Sequence, residues 1–267
     1  MKIYQRAAVY FVPHQDDWQL FMNPQVGRDI RDSDCKTVII HTTAGDAGNE
    51  DEYWRAREEG AVASLKMNRI VSGTADDVSG TVFFNGKEIS QVTVGSSTCY
   101  FLRLPDGAYD GSGFARYDFQ SLKKLKDNEI SRIDTVDGLD TYKDWAELRE
   151  TIEAILQSEL STIEGEIMFN MLDFDLELNP RDHCDHVYSS ILLSNTRFYD
   201  LYPKRAFLTY CTYYKEEDLK GEDLVWKVGM FTAYHFTVLK ASGHSTIGES
   251  NEFFTWTTRN AYFRMID

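Results

Sequence analysis

Apolar runs and amphipathic stretches alternate along most of the chain. The nearly continuous apolar runs are typical of strands that are buried on both faces of a parallel sheet. They predict strands at residues 7–12, 36–42, 167–171 and 206–210. The helical patterns between them predict helices at residues 18–22, 51–67, 145–160, 187–193 and 224–239. Together these elements predict an α/β fold with a mostly parallel sheet.

The pattern changes to a β-rich one between about residues 72 and 103. Asn85-Gly86 lies between two apolar stretches and favours the type I′ turn of a β-hairpin. We interpret residues 1–267 as a single domain, because no linker rich in Pro, Gly or Ser divides them. Near the C-terminal end, the aromatic and Thr-rich residues 252–263 predict a strand that closes a sheet edge.

A polar motif with the sequence PHQDD follows the first predicted strand at residues 13–17. In open α/β sheets, ligands bind at the carboxyl ends of the strands. His14 and Asp17 are three residues apart, so one helical turn can direct both side chains toward a common centre, whereas Asp16 points elsewhere. This arrangement fits two metal ligands and one free carboxylate. The alternative is a plain strand end, in which Asp16 or Asp17 caps the next helix.

A second polar cluster, with the sequence NPRDHCDH, spans residues 179–186 after the strand predicted at 167–171. His183 and His186 are three residues apart, and Asp185 lies between them. These residue types fit a metal ligand and an accompanying acid or oxyanion donor. Pro180 and Asp182 suit the start of a helix. Because two such clusters occur in one chain, we favour a metal site over two unrelated helix caps.

Composition and charge narrow the possible partners. The formal net charge is -15, which argues against nucleic acid and anionic membranes as main partners. The four cysteines have no CxxC spacing, and they are expected to be buried or free thiols in a reducing compartment. The N-terminal apolar run is too short for a signal peptide, and no run reaches membrane-spanning length. We therefore expect a cytoplasmic location.

The ordered pair of motifs, PHQDD at residues 13–17 and HCDH at 183–186, resembles the PIG-L/LmbE family of zinc-dependent N-deacetylases. Further matches are the small residues at 43–48, the Arg- and Glu-rich helix that follows, and the sequence LPDG at 104–107. Each motif is modest alone, but the ordered set is fairly specific. The resemblance covers roughly residues 5 to 200.

The resemblance implies a Rossmann-like fold with helices on both faces of the sheet. It also implies a hydrolase that removes an acetyl or other acyl group from an N-acetylglucosamine-type sugar or a related small molecule. One divalent zinc ion would be bound by the family's three ligands, here His14, Asp17 and His186. Asp16 would be the general base. His183 would protonate the leaving amine or stabilise the oxyanion, and Asp185 would orient it.

Three positions depart from the family pattern. Gln15 stands where the family usually has Pro, Trp18 where it has Glu, and Arg181 where some members have Tyr. The hairpin region at about 72–103 is an insertion relative to the family. We assign four aromatic or imidazole side chains and two arginines as candidate substrate contacts: Trp18, Arg57, Tyr109, Arg181, Tyr234 and His235. The alternative for Arg57 is a salt bridge, and for the aromatic residues a place in the core.

Three other functions compete with deacetylation at this point. A zinc-dependent esterase or other metallohydrolase would use the same metal ligands. A non-catalytic carbohydrate-binding protein is suggested by Gln15 and Trp18. In a structural or interaction protein, both clusters would be helix caps and salt bridges. The substrate, the acyl group and the oligomeric state stay open.

Overall fold

Eight strands form one mixed sheet in the computed structural model, which describes residues 2–49, 53–70, 73, 76–245, 247 and 252–266. The strands are β1 Tyr4–Val12, β2 Cys35–Thr43, β3 Asp77–Phe84, β4 Lys87–Val94, β5 Ser97–Leu104, β6 Ile133–Asp134, β7 Thr141–Tyr142, β8 Ile163–Leu172, β9 Lys204–Phe207 and β10 Phe263–Ile266. The α-helices are α1 Asp17–Phe21, α2 Gln25–Arg31, α3 Tyr53–Arg69, α4 Leu122–Lys126, α5 Trp145–Leu160, α6 Cys184–Ser194, α7 Gly221–Ser242 and α8 Glu252–Thr257.

The sheet has the strand order β10-β9-β8-β1-β2-β5-β4-β3. The five strands from β9 to β5 run parallel to their neighbours, and β10, β4 and β3 pair antiparallel at the two edges. Strands β6 and β7 form a separate two-stranded sheet. This topology confirms the predicted α/β fold with a mostly parallel sheet. It also confirms the hairpin, formed by β3 and β4 around Asn85-Gly86.

Helices cover both faces of the sheet, and β1 shows this most directly. Ala7, Val9 and Phe11 of β1 lie in one buried core, which α5 and α6 complete. The alternate residues of β1, of which Tyr10 is the largest, lie in a second core with α1, α2, α3 and α7. Because both faces are buried, both sets of side chains are apolar. In the described ranges, no helix is both long enough and apolar enough to span a bilayer.

Parallel strand order sets the position of the polar motifs. Strands β8, β1, β2 and β5 are neighbours and point in the same direction. The segments that follow their last residues therefore emerge at one edge of the sheet. These segments begin after Val12, Thr43, Leu104 and Leu172. They bring residues 13–17 and 179–186 to the same place.

The residues that cap each helix set where it starts, and one predicted helix start is wrong. The predicted helix at 145–160 is present with those bounds, and Asp144 caps it by accepting a hydrogen bond from the Glu147 N–H. The helix after the second motif does not start at Pro180 or Asp182. It begins at Cys184, because the His183 side chain accepts from the Asp185 N–H and so caps it.

The predicted C-terminal strand at 252–263 is wrong. Residues 252–257 form α8, and the edge strand is β10 at Phe263–Ile266. Tertiary packing explains the difference, because Trp256 of α8 stacks on Tyr210 with ring centroids 5.1 Å apart. An aromatic-rich pattern fits this helix as well as a strand. The predicted helix start at residue 51 and the start of the inserted region at 72 lie outside the described residues.

Candidate metal centre

Three side chains from two segments converge at the carboxyl edge of the sheet. One donor atom from each of His14, Asp17 and His186 lies within 4.8 Å of the others. The Asp17 carboxylate lies between the histidines, with Oδ2 3.6 Å from His14 Nδ1 and Oδ1 3.1 Å from His186 Nε2. Oδ2 also accepts a hydrogen bond from the His14 N–H at 2.8 Å. All three residues are buried.

The His186 ring is held so that one nitrogen remains available. Its Nδ1 lies 2.6 Å from Asp182 Oδ1, and the same oxygen accepts from the Thr209 hydroxyl at 2.6 Å. Its Nε2 is buried and points toward the centre, where it lies 3.1 Å from Asp17 Oδ1, an atom of another candidate ligand. A carboxylate on the second nitrogen of an imidazole ligand is a common feature of metal sites. The donor set and this buried nitrogen fit a divalent ion.

The charges around the ring favour a bound cation. Burial alone would lower the pKa of His186, but the charges of Asp17 and Asp182 outweigh it and hold that pKa well above its usual value. Burial would raise the pKa of Asp17, but His186 and His14 outweigh it and hold that pKa below its usual value. The centre therefore stabilises positive charge between the rings, which either a proton or a metal ion can supply.

A second set of donors, His14, His183 and Asp185, also lies within 4.8 Å of one another. Its atoms are already engaged. The Asp185 carboxylate accepts from the Gly107 N–H at 3.0 Å and lies 3.2 Å from His14 Nε2. His183 Nδ1 accepts from the Asp185 N–H at 3.1 Å. We favour the set that contains His186, because the two histidine rings contact the carboxylate of Asp17, which belongs to the same set, whereas the Asp185 carboxylate is also engaged by the Gly107 backbone.

Asp16 occupies the N-cap position of α1, but its side chain does not cap the helix. Its Oδ1 instead accepts from the guanidinium of Arg57, which is also buried. Arg57 further donates to the Gly45 carbonyl and, at 2.8 Å, to the Tyr234 hydroxyl. Burial would lower the pKa of Arg57, but the charge of Asp16 and its other neighbours hold that pKa well above the usual value. For Arg57, the structure therefore shows a salt bridge to Asp16.

His183 stands beside the centre and faces a carboxylate that the sequence did not reveal as its neighbour. Its Nε2 lies 3.9 Å from Asp106 Oδ1, and its ring lies 4.8 Å from that of His14. Burial, followed by the charge of His14, lowers the pKa of His183 to about 4. Asp185 contacts His183 through its backbone N–H, whereas its carboxylate contacts His14.

A cavity of about 600 Å³ opens next to these histidines. We call it the aromatic cleft, and its walls are Tyr109, Pro180, Arg181, Tyr210, Cys211, Tyr213, Tyr214 and Trp256. The Tyr210 ring lies 5.2 Å from that of His186, and the Tyr109 ring lies 6.0 Å from that of His183. The cleft is therefore in position to hold a molecule that reacts at the metal centre.

Of the six candidate substrate contacts, only Tyr109 and Arg181 line the aromatic cleft. The other four are buried: Trp18, Arg57, Tyr234 and His235. Trp18 faces the core because it lies on the inner side of α1, where its indole N–H contacts His41 Nε2 at 3.2 Å. Tyr234 is fully buried against Arg57. The walls of the aromatic cleft do not include these four residues, and their role as substrate contacts stays a prediction.

Sequence reasoning missed several residues that shape the site. From the sequence, Asp182 is expected only at a helix start, and Asp106 only within the LPDG match at 104–107. A signal existed for Asp182, because it directly precedes the HCDH motif and an acid there can support a metal ligand. Asp106 is far from any histidine in the sequence and had no such signal. Tyr210 and Trp256 had no such signal, since they come from distant segments and reach the cleft only through the fold.

The structure of this chain is similar to several solved structures. Two structures of a deacetylase from the teicoplanin biosynthetic pathway, a triple mutant and a complex labelled "bog", are each 13% identical to this chain, with TM-scores of 0.50 and 0.53. Their alignments cover 94% and 93% of this chain and 88% and 89% of theirs. A zinc-inhibited form of teicoplanin deacetylase is 10% identical, with a TM-score of 0.50 and coverage of 97% and 96%. No family model and no curated protein matches the sequence. The chain thus has the fold of these deacetylases.

Proposed function

We propose that this chain is a PIG-L/LmbE-like N-deacetylase that hydrolyses the amide of an N-acylated amino sugar or related small molecule. The observation that carries the proposal is the division of the polar residues at the sheet edge. His14, Asp17 and His186 present donor atoms to one point, while Asp16 is held beside them by another partner. These three ligands would hold one zinc ion. When bound, zinc supplies a Lewis acid for the amide carbonyl and for a water molecule.

Asp16 is the proposed general base. Arg57 engages Oδ1 of the carboxylate and so fixes its orientation, which leaves Oδ2 to accept a proton from the attacking water. Since Arg57 is itself held by Gly45 and Tyr234, the carboxylate is positioned by a rigid neighbour. The same oxygen then returns the proton to the leaving amine.

His183 is the proposed oxyanion donor. Its Nδ1 accepts from the Asp185 N–H, so the neutral ring carries its hydrogen on Nε2. That N–H can donate to the oxygen of the tetrahedral intermediate, where one such donor contributes about 10²–10³-fold to the rate. Asp106, 3.9 Å away, supports this orientation.

The substrate class is supported by the cleft and by the fold. Aromatic walls suit the apolar faces of a sugar ring, and a volume of about 600 Å³ suits a small molecule. The three structures compared above are of deacetylases, one of them in a zinc-inhibited form. The fold is therefore compatible with the proposed deacetylation.

A non-catalytic binding protein is the second candidate, and one observation favours it. The carboxylate proposed as base already has a buried ion-pair partner in Arg57. If that pair does not open to water, the centre would bind metal and ligand without hydrolysis. Metal content together with no amide or ester turnover would identify this case.

Elemental analysis and an acetate-release screen test the proposal. The purified chain should contain one zinc equivalent and release acetate from one or more N-acetylated sugars, with simple esters as the comparison for an esterase. His186→Ala should lose both metal and turnover, since an open site with three ligands tolerates little loss. His244→Ala, which changes a histidine outside the centre, is the control. Stoichiometric metal in the His186→Ala protein would contradict the ligand assignment.

A further inference from the structure

Arg181 places a positive charge on the wall of the aromatic cleft. From its surroundings we infer that the substrate carries an oxyanion, a carboxylate or a phosphate, which the Arg181 guanidinium binds. This inference rests on the proposed function, because it names the substrate class of the same site. Three observations support this inference: the unused N–H donors of Arg181, its position next to the metal centre, and the net negative charge of the chain.

The first feature is that the donors of Arg181 are largely unused. Arg57, Arg103 and Arg264 each contact a carboxylate. Within the described part of the chain, no carboxylate lies at ion-pair distance from Arg181. Its contacts are with Tyr214, whose hydroxyl lies 3.3 Å from Nη2 and whose ring centroid lies 5.6 Å from Cζ. A guanidinium has five N–H donors, so most of them remain for a ligand.

The second feature is its position relative to the chemistry. Arg181 precedes His183 by two residues in the same segment. The Tyr109 hydroxyl donates to the Arg181 carbonyl at 2.8 Å, and the Tyr109 ring lies 6.0 Å from that of His183. Tyr109 therefore ties the backbone of Arg181 to the histidine. An anion bound by Arg181 and an amide at the metal centre can belong to one small molecule.

The third feature is the negative charge of the chain. A net charge of -15 repels small anions from most of the surface. An anionic ligand can then be retained only where a cation faces it directly. A guanidinium binds carboxylate and phosphate through two parallel hydrogen bonds, which lysine cannot match.

Equilibrium binding to the metal-loaded protein of 267 residues tests the inference. The probes are N-acetylglucosamine, N-acetylglucosamine 6-phosphate and N-acetylmuramic acid, which present a neutral sugar, a phosphate and a carboxylate. We expect at least one anionic probe to bind about tenfold or more tightly than the neutral one, as for a charge-assisted hydrogen bond. Comparing the two anionic probes separates phosphate from carboxylate recognition.

Substitutions assign the effect to Arg181. Arg181→Gln should abolish the preference, so that the anionic probe binds no more tightly than N-acetylglucosamine does, whereas Arg181→Lys should restore part of that preference. Arg132→Gln is the matched control, because Arg132 is an exposed arginine that does not line the cleft. An anionic preference that survives in Arg181→Gln would overturn the inference. The inference would also be overturned if the anionic probes bound no more tightly than the neutral probe, or if no probe bound at all.

This outcome is separable from that of the proposed function. Binding that depends on Arg181, without acetate release from any compound, would refute the deacetylase and leave the anion site standing. Acetate release from neutral sugars, without a preference for anions, would support the deacetylase and refute the anion site.

Discussion

At the scale of single residues, the centre is built by giving neighbouring aspartates different partners. Asp17 lies between two histidines, whereas Asp16 is paired with Arg57. Asp182 holds the far nitrogen of His186, and Asp185 contacts His14. These buried aspartates thus have different roles, because the role of each carboxylate depends on the group that faces it.

Asp182→Asn should weaken metal binding without removing a ligand. The amide cannot serve as the charged acceptor for both His186 Nδ1 and the Thr209 hydroxyl. Loss of such a supporting carboxylate typically lowers metal affinity about 10–100-fold. Competition with a chromogenic chelator measures this, with Glu177→Gln, an exposed acid of the same segment, as control. Unchanged affinity would mean that Asp182 supports only the fold.

Asp16→Asn should separate chemistry from metal binding. The amide oxygen can still accept from Arg57, so the local structure should persist. Loss of a general base should lower turnover about 10²–10⁴-fold, while the metal content stays at the wild-type level. Asp17→Asn is the comparison and should lose metal. If Asp16→Asn loses metal instead, the roles of the two aspartates must be exchanged.

At the scale of elements, the parallel strand ends bring the site together and a glycine allows their close approach. Gly45, just after β2, has a φ of +58°. A Cβ atom there would lie 2.9 Å from His14 Cδ2 and 2.8 Å from Arg57 Nη1. The segment after β2 therefore packs against both a proposed metal ligand and the partner of the proposed base. Only glycine combines this backbone conformation with this space.

Gly45→Ala should impair the centre beyond its effect on stability. The added methyl group would displace His14, Arg57 or both, so metal affinity and turnover should fall. Gly86→Ala is the matched control, because its φ is +76° but its Cβ would meet no atom within 4 Å. Both variants should lose about 1 kcal/mol of unfolding free energy from backbone strain. Chelator competition alongside urea unfolding checks this, and equal metal affinity in the two proteins would contradict it.

At the scale of the whole molecule, a buried lysine couples stability to pH. Lys227 of α7 is fully buried and donates to the Arg259 carbonyl at 2.7 Å, which joins the helix to the C-terminal segment. Burial lowers the pKa of Lys227 to about 7, and Asp218 only partly opposes this. The unfolded chain, with a lysine pKa of roughly 10.4, binds more protons between these values. Stability from this group therefore rises with pH across that window and is lost as pH falls toward 7.

Lys227→Met should remove this pH dependence. Between pH 7 and 9.5, the wild-type protein should gain about 2–3 kcal/mol of unfolding free energy relative to Lys227→Met. The unpaired Arg259 carbonyl in the variant adds a cost that does not depend on pH, so the difference between the two pH values isolates the lysine. Urea unfolding of both proteins at both pH values is the measurement. Parallel pH profiles would show that Lys227 does not titrate in this range.

The class of fold and the two polar clusters of the centre can be predicted from the sequence. Both depend on local features: the apolar run of each strand and the spacing within PHQDD and HCDH. Such features act between residues close in the chain, so they can be read without knowing the fold. Parallel strand ends then imply that the two clusters meet.

Long-range packing sets which polar groups face each other and which side chains line the cleft. The pairing of Asp16 with Arg57, and of Asp106 with His183, joins residues far apart in sequence. Trp18 lies in the core while Trp256 lines the cleft, although the same residue type fits either place. The order of the strands and the orientation of the helices decide such contacts. The local sequence cannot, because a buried aromatic ring and one in a cleft wall have the same sequence pattern around them.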